Sequence, residues 1–240
     1  MKYKNHDVEE LLSDINKNVE LIYVQARSQE IKKIVVKNTL ENMRSILDYI
    51  SQDLIQKISQ VTKVKHTKIY FPYGKDKQLF ENSLKKNSFA QLINIFPEIY
   101  EIVLKQQPFD CNDDWLTDLC SLTIEAKHNN LLQSKRHLQT DIVQPGFLQA
   151  TNARNLSSHG NVMVDANGNT TLLDDVYVDS YGNTTVQRKS GTTMVIQHNK
   201  LFFDRKNIEI KVFFGNCIDK LRALYADLQK ANWEPLKIPS

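Results

Sequence analysis

Apolar residues recur at helical spacing through the first half of the chain, and from about Gln144 their period shortens to two. The longest helical pattern runs from Ile31 to Ile58. In it Val36, Leu40, Met43, Leu47, Ile50 and Leu54 alternate four- and three-residue steps and keep one stripe on one side of a helix. No Gly or Pro interrupts it, which predicts a single rod of about 40 Å at ~1.5 Å per residue. Ahead of it, Asp7 is placed to cap a helix carrying Val8, Leu11, Leu12, Ile15, Val19, Ile22 and Ala26 on one face. Antiparallel packing of the two requires a turn between Arg27 and Glu30, although no Gly or Pro marks one.

After the rod, KVKHTKIYFPYGKDKQ reads as a crossover loop, with Ile69, Tyr70 and Phe71 as its apolar centre and Pro72 and Gly74 as its breakers. Helices are expected at about 76–86, 88–95 and 97–106, the last with Pro97 in its first turn and closed by Gln107-Pro108-Phe109. Asp113 or Asp114 then caps a helix with Trp115, Leu116, Leu119, Leu122 and Ala126 on its inner side, ending near Lys127-His128-Asn129-Asn130-Leu131.

The strand-like half contains a duplication. Val164-Asp165-Ala166-Asn167-Gly168-Asn169-Thr170-Thr171 recurs as Val178-Asp179-Ser180-Tyr181-Gly182-Asn183-Thr184-Thr185, fourteen residues on. The two glycines supply positive φ for tight turns between strands. The Asp and Asn residues lack the spacing and the terminal Glu of a calcium loop, which favours turn chemistry. Further strands are expected at about 192–197, 200–204 and 207–214, then a helix capped by Asn216 with Ile218, Leu221, Leu224, Tyr225 and Leu228 on one side. The element order predicts an α+β protein: an antiparallel helical bundle of residues 1–144 and 215–240, with an antiparallel β-meander, residues 145–214, inserted before the C-terminal helix.

Composition changes this picture little. A chain of 240 residues, 41% hydrophobic and 25% charged, builds an ordinary globular core, and a net charge of +3 is too mild to mark a nucleic-acid footprint by itself. Three cysteines without a C-x-x-C pair argue against a disulfide framework and for a reducing compartment. No signal-length apolar run opens the sequence and none of membrane-spanning length occurs, so the expectation is a cytoplasmic protein without membrane contact. His6, His66, His137 and His198 show no metal-ligand spacing; neither a metal site nor a cofactor is expected.

Leu40-Glu41-Asn42-Met43-Arg44-Ser45-Ile46-Leu47-Asp48-Tyr49, then Tyr70-Phe71-Pro72, then Gln107-Pro108-Phe109, then Leu119 through Lys127-His128-Asn129-Asn130-Leu131 occur in that order. This succession resembles a bacterial branch of the HEPN superfamily, helical-bundle domains named for nucleotide binding. The branch shows a Leu-Arg-Ser-x-Leu-Asp helix, a Phe-Pro loop, a Gln-Pro-aromatic turn and a Lys-His helix end. The resemblance covers roughly residues 30–135 and, more loosely, 216–231; Asn129-Asn130 stands where the branch carries an Arg. It implies a HEPN-like bundle, a homodimer formed through helices, and RNA or a nucleotide as partner. Several members are metal-independent ribonucleases or toxins of phage-defence systems.

Two constellations fit that chemistry. In the first, Arg154-Asn155-Leu156-Ser157-Ser158-His159 matches the family's Arg-polar-x-x-x-His signature, with Arg154, Asn155 and His159 as catalytic candidates. His159 would shuttle the proton of a 2′-hydroxyl and Arg154 would hold the scissile phosphate. Gly160 and a strand-like run follow at once, so the string also reads as a surface loop. In the second, Arg44 and Asp48, one helical turn apart, face Lys127 and His128 and form a cationic binding pocket for phosphate. An Arg–Asp pair beside a helix-end His is equally a structural arrangement. The sequence leaves open an RNA-acting protein and a non-enzymatic dimerisation or scaffold module.

Overall fold

The computed structural model describes residues 3–27, 31–64, 69–128, 134–191, 193–203 and 206–236, with the side chains of Arg27, His128, residues 134–137, His198 and Asn199 outside that description. The chain divides into two compact units, residues 1–133 with 210–240, and residues 134–209.

The first unit is helical. α1 (His6–Arg27) begins on Asn5, not Asp7: the Asn5 side-chain oxygen accepts from Val8 N–H at 3.0 Å, which leaves Asp7 in the first turn. α2 (Lys33–Thr62) is the expected rod, about 45 Å long at ~1.5 Å per residue. It buries Val36, Leu40, Met43, Leu47, Ile50 and Leu54, and also Thr39, Ile46, Ile55 and Ile58, because it has neighbours on two sides. α1 lies antiparallel to it, with Asn42 donating to Asp14 and Tyr3 to Asp53; the join at residues 28–30 lies outside the described residues.

α3 (Lys77–Lys86), α4 (Leu92–Ile95) and α5 (Pro97–Leu104) fall within the expected helices, α4 at half its expected length, and α6 (Pro108–Cys111) is a short helix where a closing turn is expected. α7 (Trp115–His128) packs antiparallel on α2: Thr123 Oγ1 donates to the Leu40 carbonyl and Arg44 reaches Cys120. α8 (Ile210–Lys230) closes the bundle. It starts earlier than expected, and Asn216 is internal to it, not a cap. The stretch Ile210-Lys-Val-Phe-Phe favours strand by composition, but Ile210, Phe213, Phe214, Cys217, Ile218 and Leu221 all bury on one helical face. Gly215 is tolerated within this helix because a Cβ there would stand 2.7 Å from the Tyr23 hydroxyl of α1.

The second unit is all strand. β1 (Ser134–Gln144), β2 (Leu148–Ala150), β8 (Met194–Phe203) and β9 (Ile208–Glu209) form one antiparallel sheet in the order β2-β1-β8-β9. β3 (Leu156–Ser158), β6 (Asp175–Val178) and β7 (Thr184–Gln187) form a second, and β4 (Val162–Val164) with β5 (Thr170–Leu172) a two-stranded third. This departs from a simple meander, because the first strand pairs with the eighth over nearly its whole length, Ser134 opposite Phe203 to Val143 opposite Met194. The unit therefore begins at Ser134 instead of 145 and ends at Glu209 instead of 214. Its first strand, SKRHLQTD at the start, is too polar to read as a strand alone. Ile142, Ala153, Val176 and Val178 form its core, with Leu148, Leu156, Val186 and Val195 packed against them.

Candidate functional site

In the helical unit, the motif residues first fix a loop. Gln107 is fully buried; its side-chain oxygen accepts from Gly74 N–H at 3.1 Å, while its amide donates to the carbonyls of Val103 at 2.9 Å and Pro72 at 3.3 Å. Gly74 is required because a Cβ would lie 2.2 Å from the Phe80 backbone nitrogen. The Phe71-Pro72 and Gln107-Pro108 motifs are thus two halves of one clamp. Its consequence is the position of Tyr73.

The Tyr73 ring lies under the Arg44 guanidinium, 5.6 Å from centroid to Cζ. Arg44 Nη1 meets Cys120 Sγ, and its Nε stands 3.5 Å from Asp48 Oδ1. Four residues from three segments therefore converge: Arg44 and Asp48 from α2, Tyr73 from the clamped loop, Cys120 from α7. Burial pushes the Cys120 thiol up to about 11, opposed by the Arg44 charge and the Tyr73 hydroxyl, so it stays a thiol at neutral pH. Burial also raises Tyr73.

Asp48 is the member left short. Burial raises its carboxyl above the usual range, against the pull of Arg44 first and Lys127 second. Its Oδ1 is shielded from water yet accepts no hydrogen bond among the described residues. Asp48 thus lies within electrostatic reach of both Arg44 and Lys127. The His128 side chain lies outside the described residues. Tyr73 and Cys120 were missed, since one sits on a loop without periodicity and the other reads as a plain core position.

In the strand unit the Arg154–His159 string adopts no helix. Asn155 takes a left-handed conformation, φ 49°, its N–H donates to the Asp179 carbonyl, and Leu156–Ser158 is the strand β3. Arg154 donates to the carbonyls of Leu138 at 2.8 Å and Ser180 at 3.1 Å, tying β1 to the second repeated turn. His159 Nδ1 pairs with the Ser157 hydroxyl at 3.0 Å. An open cleft of about 260 Å³ beside Arg154 is lined also by Gln139, Asn152, Lys200 and Phe202, with Lys200 held by Glu209 at 3.1 Å.

No family model, curated protein or solved structure matches this chain. Its chemistry is therefore read from geometry. The repeated turns superpose in their bonding: Asp165 Oδ1 accepts from the N–H groups of Asn167 and Asn169 and its Oδ2 from the Asn169 amide, and Asp179 does the same with Tyr181 and Asn183. Both carboxyls are held below the ordinary value by these donors, with the Asn169 and Asn183 side-chain amides contributing most. That is turn chemistry, with the oxygens a cation would need already occupied.

The most strongly held carboxylate was not singled out by the sequence at all. Asp174, its side chain fully buried, accepts from the backbone N–H groups of Lys189, Ser190, Gly191 and Thr193 at 2.6–3.1 Å and from Arg188 Nη1 at 3.2 Å. These donors, Lys189 first, hold it well below the usual carboxylate range. No local signal announces it, because its donors lie fourteen and more residues away.

Proposed function

We propose that this chain is a HEPN-like protein whose helical unit binds RNA or a nucleotide at the Arg44–Asp48–Lys127 cluster. The observation that carries the reading is Asp48: a half-buried carboxylate acted on by two cations, Arg44 and Lys127. A nucleotide would bring a phosphate for the exposed Lys127 and a ribose hydroxyl or base N–H to donate to the solvent-facing part of the Asp48 carboxylate, whose side chain is 31% exposed. Tyr73 and Cys120 act here as positioning residues that fix the guanidinium.

The test is binding of a labelled oligoribonucleotide, and of a nucleoside monophosphate, to the full chain. Lys127→Gln and Asp48→Ala are each expected to weaken binding by about tenfold or more, the equivalent of one charge-assisted hydrogen bond. Wild-type affinity unchanged by both substitutions overturns the reading. A cleavage role for Arg154, Asn155 and His159 gains no support from the strand geometry or from an Arg154 engaged by two carbonyls, and the binding reading does not require it. The same RNA incubated with the protein in EDTA is expected to stay intact; cleavage abolished by His159→Ala would restore the ribonuclease reading.

A further inference from the structure

In the strand unit, the sheet built on β1 and β8 has one covered face and one open one. Residues along a strand alternate between faces, and register sets Lys135 opposite Phe202, His137 opposite Lys200 and Gln139 opposite His198. The alternate positions Thr140, Ile142, Leu201 and Phe203 are buried. The open face therefore takes positions 135, 137, 139, 198, 200 and 202, which the sequence fills with Lys, His, Gln, His, Lys and Phe.

The cleft of about 260 Å³ lies on this face, lined by Gln139, Lys200 and Phe202 from the two strands and by Asn152 and Arg154 from the segment along the β1 edge. Ala153 N–H donates to the Thr140 carbonyl and holds that segment in place. Arg154 is preorganised: its bonds to the Leu138 and Ser180 carbonyls fix the guanidinium without neutralising it, and leave further N–H donors over. The neighbouring carboxylates are engaged. Glu209 holds Lys200 at 3.1 Å, and Asp141 accepts from Asn152 N–H at 2.8 Å and from the Gln139 amide at 3.4 Å. The cleft thus offers a fixed cation, a second cation in a solvent-accessible ion pair that exchanges readily, the amides of Asn152 and Gln139, and an aromatic ring.

We propose that this open face binds single-stranded nucleic acid: Arg154 and Lys200 hold a phosphate, a base stacks on Phe202, and the Asn152 and Gln139 amides meet the base edge. The cleft lies below the ~300–1,000 Å³ of drug-sized sites, which suits one nucleotide of a strand and excludes a dinucleotide cofactor. Lys135, His137 and His198 continue donor-bearing residues along the same strands, as a backbone tracking across a sheet requires. A duplex presents phosphates but hides its base faces, and an acidic peptide presents charge without a flat ring or an edge for the amides. Only an unpaired strand uses the cations, the ring and the amides together. This inference concerns the strand unit alone and is independent of the nucleotide reading of the helical unit.

Fluorescence anisotropy of the full chain with a labelled oligouridylate of ~10 nucleotides tests it, beside the same strand in a duplex, an abasic strand and polyglutamate. Lys200→Gln is expected to weaken binding about threefold or more and to lower the salt slope by about 0.7. Phe202→Leu keeps apolar bulk but no ring; it is expected to weaken the oligouridylate about fivefold or more and to leave the abasic strand unchanged. Glu209→Gln releases Lys200 and is expected to tighten binding about threefold. Should Phe202→Leu lose the wild-type melt, the opposite signs of Lys200→Gln and Glu209→Gln decide. Each variant is also measured beside Lys127→Gln. Binding lost with Lys127→Gln yet unmoved by Lys200→Gln and Phe202→Leu overturns this site and upholds the helical one; the reverse upholds this site. Equal affinity for the duplex overturns the proposal, and polyglutamate that displaces the strand as well as unlabelled oligouridylate does overturns it in favour of an acidic peptide.

Discussion

Asp48 in the helical unit and Asp174 in the strand unit are both withdrawn from water, yet their carboxyls are pushed in opposite directions, Asp48 up and Asp174 down. The difference lies in what each backbone has left to give. Along α2 every interior N–H is committed to the carbonyl four residues back, so Asp48 can draw only on side chains, and it finds one guanidinium at 3.5 Å. Around Asp174 the N–H groups of Lys189, Ser190, Gly191 and Thr193 are not held in such a ladder, and all four converge on one carboxylate. A saturated carboxylate is architecture; a half-buried one beside cations is the basis of the proposed binding site.

The strongest way to break that comparison is to create a carboxylate with neither kind of donor. Met43 is fully buried one position before Arg44, inside the stripe that α2 presents to its neighbours. Met43→Asp should unfold the helical unit, because an unpartnered core carboxylate costs several kcal/mol against a total stability of ~5–15 kcal/mol. Loss of the cooperative melt by circular dichroism is the expected readout; a wild-type melt would show that α2 is not the centre of the core.

Removing the saturated carboxylate comes next. Asp174→Ala leaves the N–H groups of Lys189, Ser190, Gly191 and Thr193, and the Arg188 guanidinium, without their acceptor. Amide protection should be lost across residues 134–209. The pH dependence has a definite sign. The folded carboxyl titrates below the ordinary 3.8, so its contribution is complete above that value and falls away only as pH drops below it. Wild-type protection of the strand unit should therefore persist at pH 5.

Much of this was legible in the sequence, and the exceptions share a cause. The α2 stripe and the two Gly turns are local patterns, and Val36, Leu40, Met43, Leu47, Ile50 and Leu54 are all buried as their spacing predicts. Gly168 and Gly182 take φ of +81° and +88° in the places the duplication marks. Asp174, Cys120 and Tyr73 escaped because each acquires its meaning from a partner distant in sequence. β1 escaped for a related reason: it is a strand through its pairing with β8, not through its own composition.

The duplicated turns offer a finer test, since they bond alike but stand in different surroundings. Any side chain at either glycine meets the left-handed penalty of about 1–2 kcal/mol. At Gly168 a Cβ would meet nothing within 4 Å, whereas at Gly182 it would lie 3.1 Å from the Leu138 carbonyl and 3.5 Å from Arg154 Nη1. Gly182→Ala should therefore destabilise more than Gly168→Ala, and chemical denaturation of the two variants should show it. Equal losses would mean that Arg154 and Leu138 do not hold that turn in place.

The smallest expected effect discriminates best between the two carboxylates. Because the folded Asp48 carboxyl lies above its ordinary 3.8, the folded state holds that proton more tightly than the unfolded chain. Its contribution to stability is then greatest below 3.8 and declines as pH rises through the folded value, so at neutral pH the ionised group is a burden. Asp48→Asn removes the charge and keeps the shape. It should melt at or slightly above wild type at pH 7 and lose that advantage as pH falls through the folded value, where wild type takes up the proton. Asp174→Asn should do the reverse, losing stability at pH 7, because an amide cannot satisfy donors that converge on two carboxylate oxygens. A melting temperature that falls for Asp48→Asn at pH 7 would mean that Arg44 and Lys127 outweigh burial at that site, and that the cluster is a satisfied ion pair with nothing left to offer a nucleotide.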